Sequence, residues 1–386
     1  MIIGIDASRA SGTTHTGTER YSREVIRALI QAAPQHRFRL YCRPTSLPDQ
    51  DAWTRLLKAG REVDPRIIRR QRLWTHIGLS AEIIRQPPDA LFIPAHVLPI
   101  VFGAPSWVSR TRSVVTVHDI GHRRFPSTHT WGQRLYLDWS TVFAGRYASF
   151  IIADSEATRQ DIHRFYRVPL ERIRVAYPGA MPLPALSEAQ RRAIVGRFGL
   201  DAGHPFALHI GTIQPRKNLR RLTRAWRHVL ADWPSAEPLP LLVLAGAAGW
   251  NNEATRLRAE IAAQGLSERV RWIGYISDED KAGLLGAARA LVFPSLHEGF
   301  GFPVLEAQAA GVPVVCSKTS SLPEVAGDGA LLIDPLDERA IAQAVLRILR
   351  DESLRTRLVA AGERNSKRFT WQNCACVILS TLEGRA

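Results

Sequence analysis

The 386-residue chain is expected to be an α/β protein made of two doubly wound parallel-sheet domains. Three observations predict this. The length fits two domains at roughly 100 to 200 residues each. Short apolar runs alternate with helix-period patterns, the signature of strands joined by helical crossovers. A Pro and Gly cluster near the middle, YPGAMPLPALSEAQ (177 to 190), supplies a linker, so the halves join near residue 183. Hydrophobic residues at 45% and charged residues at 23% lie near globular averages, and nothing in them argues for extended disorder.

The first half opens on MIIGI (1 to 5), then FRLYC (38 to 42), ALFIP (90 to 94), SVVTV (113 to 117) and SFIIA (149 to 153), with helix patterns between. Ser187, after the linker, reads as an N-cap. The second half is more regular: FALHI (206 to 210), LLVLA (241 to 245), VRWIG (270 to 274), ALVFP (290 to 294), VPVVC (312 to 316) and ALLID (330 to 334). Leu219, Leu222, Trp226 and Val229, at spacings of three and four, exemplify the helices between them. Each half reads as a Rossmann-like domain, and the two are expected to face each other.

The uncharged stretch ALFIPAHVLPIVFGAPSWV (90 to 108) approaches membrane-span length. Pro94, Pro99, Gly103 and Pro105 would break a helix that lipid cannot re-satisfy, so a buried strand and a loop are expected instead. The start, MIIGIDASRA, lacks a basic lead and Asp6 interrupts its apolar run, so no export is implied. Cys42, Cys316, Cys374 and Cys376 make no disulfide framework or zinc spacing and read as reduced cytoplasmic thiols.

The net charge is +15, and residues 1 to 185 carry 26 Lys and Arg against 15 Asp and Glu, or +11. Such an excess suits an acidic partner: anionic lipid, a phosphorylated substrate or nucleic acid. No helix-turn-helix, zinc or aromatic-stacking signature accompanies it, so nucleic acid is set aside. PRIIRRQRLW (65 to 74) interleaves four arginines with apolar residues. It suits an anionic membrane surface, or a core-packed Trp74 and isoleucines with solvated arginines, and both readings stay open.

Ligands of open α/β sheets bind outside the carboxyl ends of the strands. After FALHI comes GTIQPRKN, where Gly211 permits a tight turn, Arg216 and Lys217 are adjacent cations, and Asn218 can cap the next helix. A helix start with two cations is an anion site. After ALVFP comes SLHEGFG and then PVLEAQAAG. Pro303 suits the first helical position and Gly311 the C-cap, which puts Glu306 in the first turn. Gly299 and Gly301 let the backbone of residues 299 to 303 approach a ligand. Glu298 and Glu306 then flank that backbone, one for hydroxyls on each side of a diphosphate. A surface role for Glu298 and a helix-dipole role for Glu306 stay open.

Gly17 in the first loop also allows close approach, although G-x-G-x-x-G is absent and a nicotinamide dinucleotide fingerprint with it. His118 and Asp119 follow SVVTV. Asp278, Glu279 and Asp280 read as a capping segment after Ser277 rather than a metal site.

PRKN at 215 to 218, EGFGFPVLEA at 298 to 307, GVPVV at 311 to 315, LPEVAG at 322 to 327 and HD at 118 to 119 together resemble the retaining glycosyltransferases of family four, most of all its bacterial mannosyltransferase-like members. The resemblance covers essentially the whole chain and implies the GT-B fold: an acceptor domain at 1 to 183, a donor domain at 184 to 367, and a helix at 368 to 386 returning to the first. It implies catalytic roles for Glu298, at the anomeric centre, and His118, on the sugar. Arg216 and Lys217 would hold the donor diphosphate, Glu306 the ribose, and Gly299, Phe300, Gly301 and Phe302 the sugar and phosphate. Gly17 and Gly211 would line the donor, and Tyr275 the base.

The implied activity moves a hexose, with mannose from GDP-mannose as leading guess, from a nucleoside-diphosphate sugar to a glycan or lipid-linked acceptor in cell-surface polysaccharide synthesis. The expected location is cytoplasmic, with a peripheral place on the inner membrane face left open. No metal and no cofactor beyond the nucleotide-sugar co-substrate is implied. The alternatives are a catalytically silent sugar-nucleotide-binding protein and the same chemistry with a UDP-sugar. The chain departs from the family where Gly17-Thr18-Glu19-Arg20-Tyr21 replaces paired glycines and Pro178-Gly179 replaces Asn-Gly.

Overall fold

Apolar runs buried on both faces become central parallel strands, and the computed structural model, which describes residues 1–10, 17–44, 62–105, 110–126, 130–200, 204–249 and 252–385, has two such sheets. The chain divides into two units, Met1–Gly179 with Phe369–Ala386, and Ala180–Arg368. The division falls ahead of residue 183.

Among the described residues the first unit holds β1 (Ile2–Asp6), β2 (Arg37–Cys42), β3 (Val63–Ile67), β4 (Ala90–Ile93), β5 (Arg112–Val117), β6 (Phe150–Ala153) and β7 (Ile173–Val175). Their order is β3-β2-β1-β4-β5-β6-β7. All pairs are parallel. β3 was not expected as a strand. Its Pro65 cannot donate to a ladder, and the strand sits at the sheet edge, where that loss is tolerated. The 65 to 74 stretch divides between its two readings: Trp74 is 2% exposed and Ile68 packs on the core, whereas Ile67 and Leu73 are 47% and 59% exposed.

β4 is wholly buried and gives way to a loop and a short turn at Ile100–Gly103, so residues 90 to 105 form no spanning helix, and the rest of the 90 to 108 stretch lies outside the described residues. Among the described residues no helix is long and apolar enough to cross a membrane. The four cysteines are free thiols, three of them buried.

The last helix, Trp371–Glu383, belongs to this unit and packs on the helix Gly17–Ala32 and on β4, β5 and β7. Cys374, Ile378 and Leu382 recur at intervals of four and are buried, as are Ala375 and Leu379, so one stripe faces the core. The Thr370 hydroxyl caps the start by accepting the Asn373 N–H at 3.1 Å. A Cβ at Gly179 would lie 2.5 Å from the Trp371 nitrogen and 2.6 Å from Cδ1 of its ring, so this glycine lets the returning chain approach.

The second unit holds β8 (Phe206–Ile210), β9 (Leu241–Ala245), β10 (Val270–Gly274), β11 (Ala290–Phe293), β12 (Val314–Ser317) and β13 (Ala330–Ile333). Their order is β10-β9-β8-β11-β12-β13, again all parallel. All six match the apolar runs. The helix Leu219–Ala231 buries Leu219, Leu222, Trp226 and Val229 as its spacing requires. Ser187 caps the helix Glu188–Arg197 in a capping box with Gln190. The direction of winding reverses between β1 and β4 in one sheet and between β8 and β11 in the other, and ligands of open sheets bind at such switch points.

Gly179→Ala should destabilise the protein by about 1–3 kcal/mol through overpacking against backbone, read as a shift in the urea unfolding midpoint. Gly17→Ala is the control. A Cβ there meets nothing within 4 Å, so its midpoint should stay within about 0.5 kcal/mol of the parent's.

Candidate active site

The loops leaving β8 and β11 emerge side by side because those strands are paired. Gly211 follows β8 with φ +156°, and a Cβ there would lie 3.3 Å from Cε of Lys217. Glycine keeps that path open for the lysine. Asn218 takes the N-cap position, but in the left-handed region and without a side-chain cap. Its amide instead donates to the Pro294 and Pro335 carbonyls at 3.2 and 2.6 Å. The residue ties together the loops after β8, β11 and β13.

Glu298 receives both cations of the preceding loop. Lys217 Nζ donates to Oε1 and Arg216 Nη1 to Oε2, each at 2.6 Å, and the same Arg216 nitrogen reaches the His297 carbonyl at 3.0 Å. Lys217 and Glu298 are each 7% exposed. Burial pushes the Glu298 carboxyl up, but Arg216 and Lys217 outweigh it and hold the group well below the usual carboxylate range. Glu298 is therefore an ionised, buried carboxylate and not a surface residue.

Below the cluster, Lys217 Nζ lies 4.6 Å from the Phe293 ring centre and His209 stacks on that ring. His209 Nδ1 donates to the Val292 carbonyl at 3.0 Å. Burial, and then the Lys217 charge, lower its pKa to about 4, so the imidazole is neutral.

Gly301 has φ +111° ahead of the helix Phe302–Ala309, and a Cβ would meet Leu322 Cδ2 at 2.7 Å. The helix begins at Phe302, so Glu306 falls in its second turn rather than its first, and the helix-dipole role loses its basis. Gly311 takes the left-handed position after the helix, with φ +71°. Glu306 is 4% exposed and accepts from Lys281 Nζ at 2.6 Å.

Lys281, 5% exposed, was missed as a site residue. The signal was present, because it stands three and four positions before buried Leu284 and Leu285 and so shares their inward face. Ser277 and Asp280 do form the expected capping box. Gly299 and Phe300 are buried, and the Phe300 and Phe302 rings meet edge to face at 5.1 Å. The Ser320 hydroxyl accepts the Glu298 N–H at 2.9 Å, and Ser321 donates to the Phe300 carbonyl at 2.7 Å. Tyr275, after β10, is 63% exposed.

In the first unit His118 follows β5 directly. Its Nδ1 lies 2.7 Å from Asp154 Oδ2 and its Nε2 3.1 Å from the Pro94 carbonyl. A carbonyl only accepts, so Nε2 carries a proton, while Nδ1 and the Asp154 carboxyl share one between them, burial raising the Asp154 pKa and the His118 charge opposing it. Burial lowers the His118 pKa, Asp154 more than restores it, and the net direction is up. Neighbouring His96 donates Nε2–H to the Asp119 carbonyl at 3.0 Å, and burial, followed by the His118 charge, lowers its pKa to about 4. The Tyr21 ring stands edge-on to His118 at 4.6 Å. Gly17 opens the Tyr21 helix, while the Ser/Thr-rich lead-in at 11 to 16 lies outside the described residues.

Residues 15–180 match the family described as Glycosyltransferase Family 4, and residues 190–365 match Glycosyl transferases group 1. The chain is 36% identical over 266 residues to the O-antigen chain mannosyltransferase B of Escherichia coli, covering 68% of each. It is 29% identical over 238 residues to the D-inositol 3-phosphate glycosyltransferase of a Nocardioides strain, over 59% of this chain and 52% of that one. The crystal structure of Anabaena HepE in complex with UDP-glucose has the same fold, with TM-score 0.71, 21% identity and 99% of both chains covered. Both sheets reverse at a switch point, and in the second Arg216, Lys217 and Glu298 gather there. This chain belongs to glycosyltransferase family four.

Lys281→Met should cost about 3–5 kcal/mol, because Glu306 would be left buried and unpaired. Adding Glu306→Gln should recover much of that loss, as read by thermal unfolding of the single and double variants. His118 has a raised folded pKa, so its pairing with Asp154 stabilises fully below its unfolded value of about 6.5 and is lost as pH rises through the folded value. Asp154→Asn should therefore lower the urea midpoint more near pH 6 than near pH 9.

Proposed function

We propose that this glycosyltransferase moves mannose from GDP-mannose, with retention and without a metal, to a glycan or lipid-linked acceptor in polysaccharide synthesis. The observation that carries the reading is the meeting of Arg216 and Lys217 with the glycine loop that bears Glu298, at the β8/β11 switch point. Cleavage of a sugar–phosphate bond leaves negative charge on the diphosphate and positive charge on the ring. Preorganised cations at the leaving group supply the larger part of such catalysis.

In this reading Arg216 and Lys217 take the diphosphate, whose charge they offset without a metal. The backbone from Gly299 to Phe302 takes the sugar and phosphate, and Glu306 the ribose. Glu298, held ionised, acts as a carboxylate, by stabilising the sugar cation or by attacking it. It does not serve as a general acid. His118, whose Nε2 carries a proton, serves as a donor toward sugar hydroxyls when its bond to the Pro94 carbonyl is exchanged. Mannose as the transferred sugar draws support from the O-antigen mannosyltransferase relative. A UDP-sugar donor is the second reading, favoured by HepE with UDP-glucose.

Calorimetric titration in the presence of a chelator, against GDP, UDP, ADP and their sugar conjugates, tests the donor. The expected outcome is tightest binding of GDP and GDP-mannose, weakened roughly ten- to a hundredfold in Lys217→Ala through loss of charged hydrogen bonds. Glu298→Ala should keep donor binding and lower turnover by about 10²–10³. Tighter binding of UDP would move the assignment to the second reading, and binding of none of them would overturn both. An α-configured product by NMR checks retention.

A further inference from the structure

The helix Trp131–Tyr147 is built inside out. The residues it buries are small: Ser140, Thr141, Ala144 and Gly145. Its outward residues Trp131, Leu135, Trp139 and Val142 are 75%, 50%, 45% and 49% exposed. At 100° per residue these four fall within an arc of about 80°. A helix on a water-facing surface carries the opposite pattern, and a continuous exposed apolar stripe marks an interaction face.

The stripe continues beyond its own helix. The Tyr136 and Trp139 rings stand edge-on to His76 at 6.0 and 5.4 Å. His76 lies in the turn Trp74–Leu79, whose Gly78 lies against the Arg70 side chain. Ile100, 45% exposed, lies in the short turn whose Gly103 would bring a Cβ within 3.0 Å of the Phe143 ring.

Charge decides what covers it. Arg134 and Arg146 are exposed on the same helix and have no carboxylate partner among the described residues. The one acid of this helix, Asp138, is paired with Arg123. Arg69, Arg70 and Arg72 add exposed cations from the neighbouring segment. Symmetric pairing of two copies would set this cationic rim against itself, whereas an anionic bilayer complements it. Tryptophan and tyrosine beside arginine form the belt that sits at a membrane–water boundary.

We propose that the Trp131–Tyr147 helix docks in the plane of an anionic lipid bilayer, its tryptophan stripe entering the headgroup boundary and its arginines contacting lipid phosphates. The inference goes beyond the sugar-transfer reading and does not depend on it.

Co-sedimentation of the whole protein with vesicles of phosphatidylcholine, with and without phosphatidylglycerol, tests it. The expected result is binding to the mixed vesicles that weakens as salt rises. The partition coefficient should drop at least about tenfold in the double variant Trp131→Ser, Trp139→Ser, and by a similar factor in Arg134→Glu, Arg146→Glu. Far-UV circular dichroism and the urea unfolding midpoint of the variants should stay close to the parent's, since all four side chains are exposed. Three results would overturn the proposal: no sedimentation of the parent with anionic vesicles, unchanged partition of both variants, or a light-scattering dimer that the tryptophan variant dissolves, which assigns the face to a second copy.

Discussion

A parallel strand cannot return to its neighbour by a tight turn. It needs a crossover of a dozen or more residues, and the crossovers of both sheets follow from that requirement. Every carboxyl end in a sheet opens on the same side, and where the winding reverses, loops distant in sequence emerge together. Lys217 and Glu298 are 81 positions apart and share a hydrogen bond because β8 and β11 are paired. Asn218 reinforces the junction by spanning three loops. The chemistry at this edge is thus a consequence of topology before it is a consequence of any one side chain.

The electrostatics follow from burial. An isolated ion in this interior would cost several kcal/mol, and the buried charges of the candidate site come with partners: Glu298 with Arg216 and Lys217, Glu306 with Lys281, His118 with Asp154. Two cations against one carboxylate leave a single positive charge at the β8/β11 edge. Glu306 and Lys281 balance each other. An anion arriving at this edge meets cations that already have a counter-ion, and shares them with Glu298 or displaces it.

Much of this was legible in the chain. Strands buried on both faces announce themselves as unbroken apolar runs, and Arg216, Lys217, Glu298 and Glu306 stood out because their loops follow such runs. β3 was hidden because an edge strand tolerates Pro65 and charged neighbours. Lys281 was hidden because a lysine in a helical segment is by default a solvated one, although its position relative to Leu284 and Leu285 pointed inward. The Asp154 partner of His118 lies 36 positions away, just past the end of the next strand, a distance that only strand pairing closes. The helix register at Glu306 slipped by one position because Phe302, not Pro303, opens that helix. Asn218 looked like a cap, and its side chain turned out to be a strut.

Gly179 and Trp371 meet in the unit that holds both ends of the described chain, while residues 180 to 368 form the other. On the ribosome, synthesis runs from the amino terminus, and domains generally fold as units as they emerge. The second unit is complete once Arg368 has left the exit tunnel. The first unit, although made earlier, must wait with its groove for Cys374, Ile378 and Leu382 still open until the last helix arrives. The later-made half is thus the first that can finish folding, and the earlier-made half is closed by a helix translated after it.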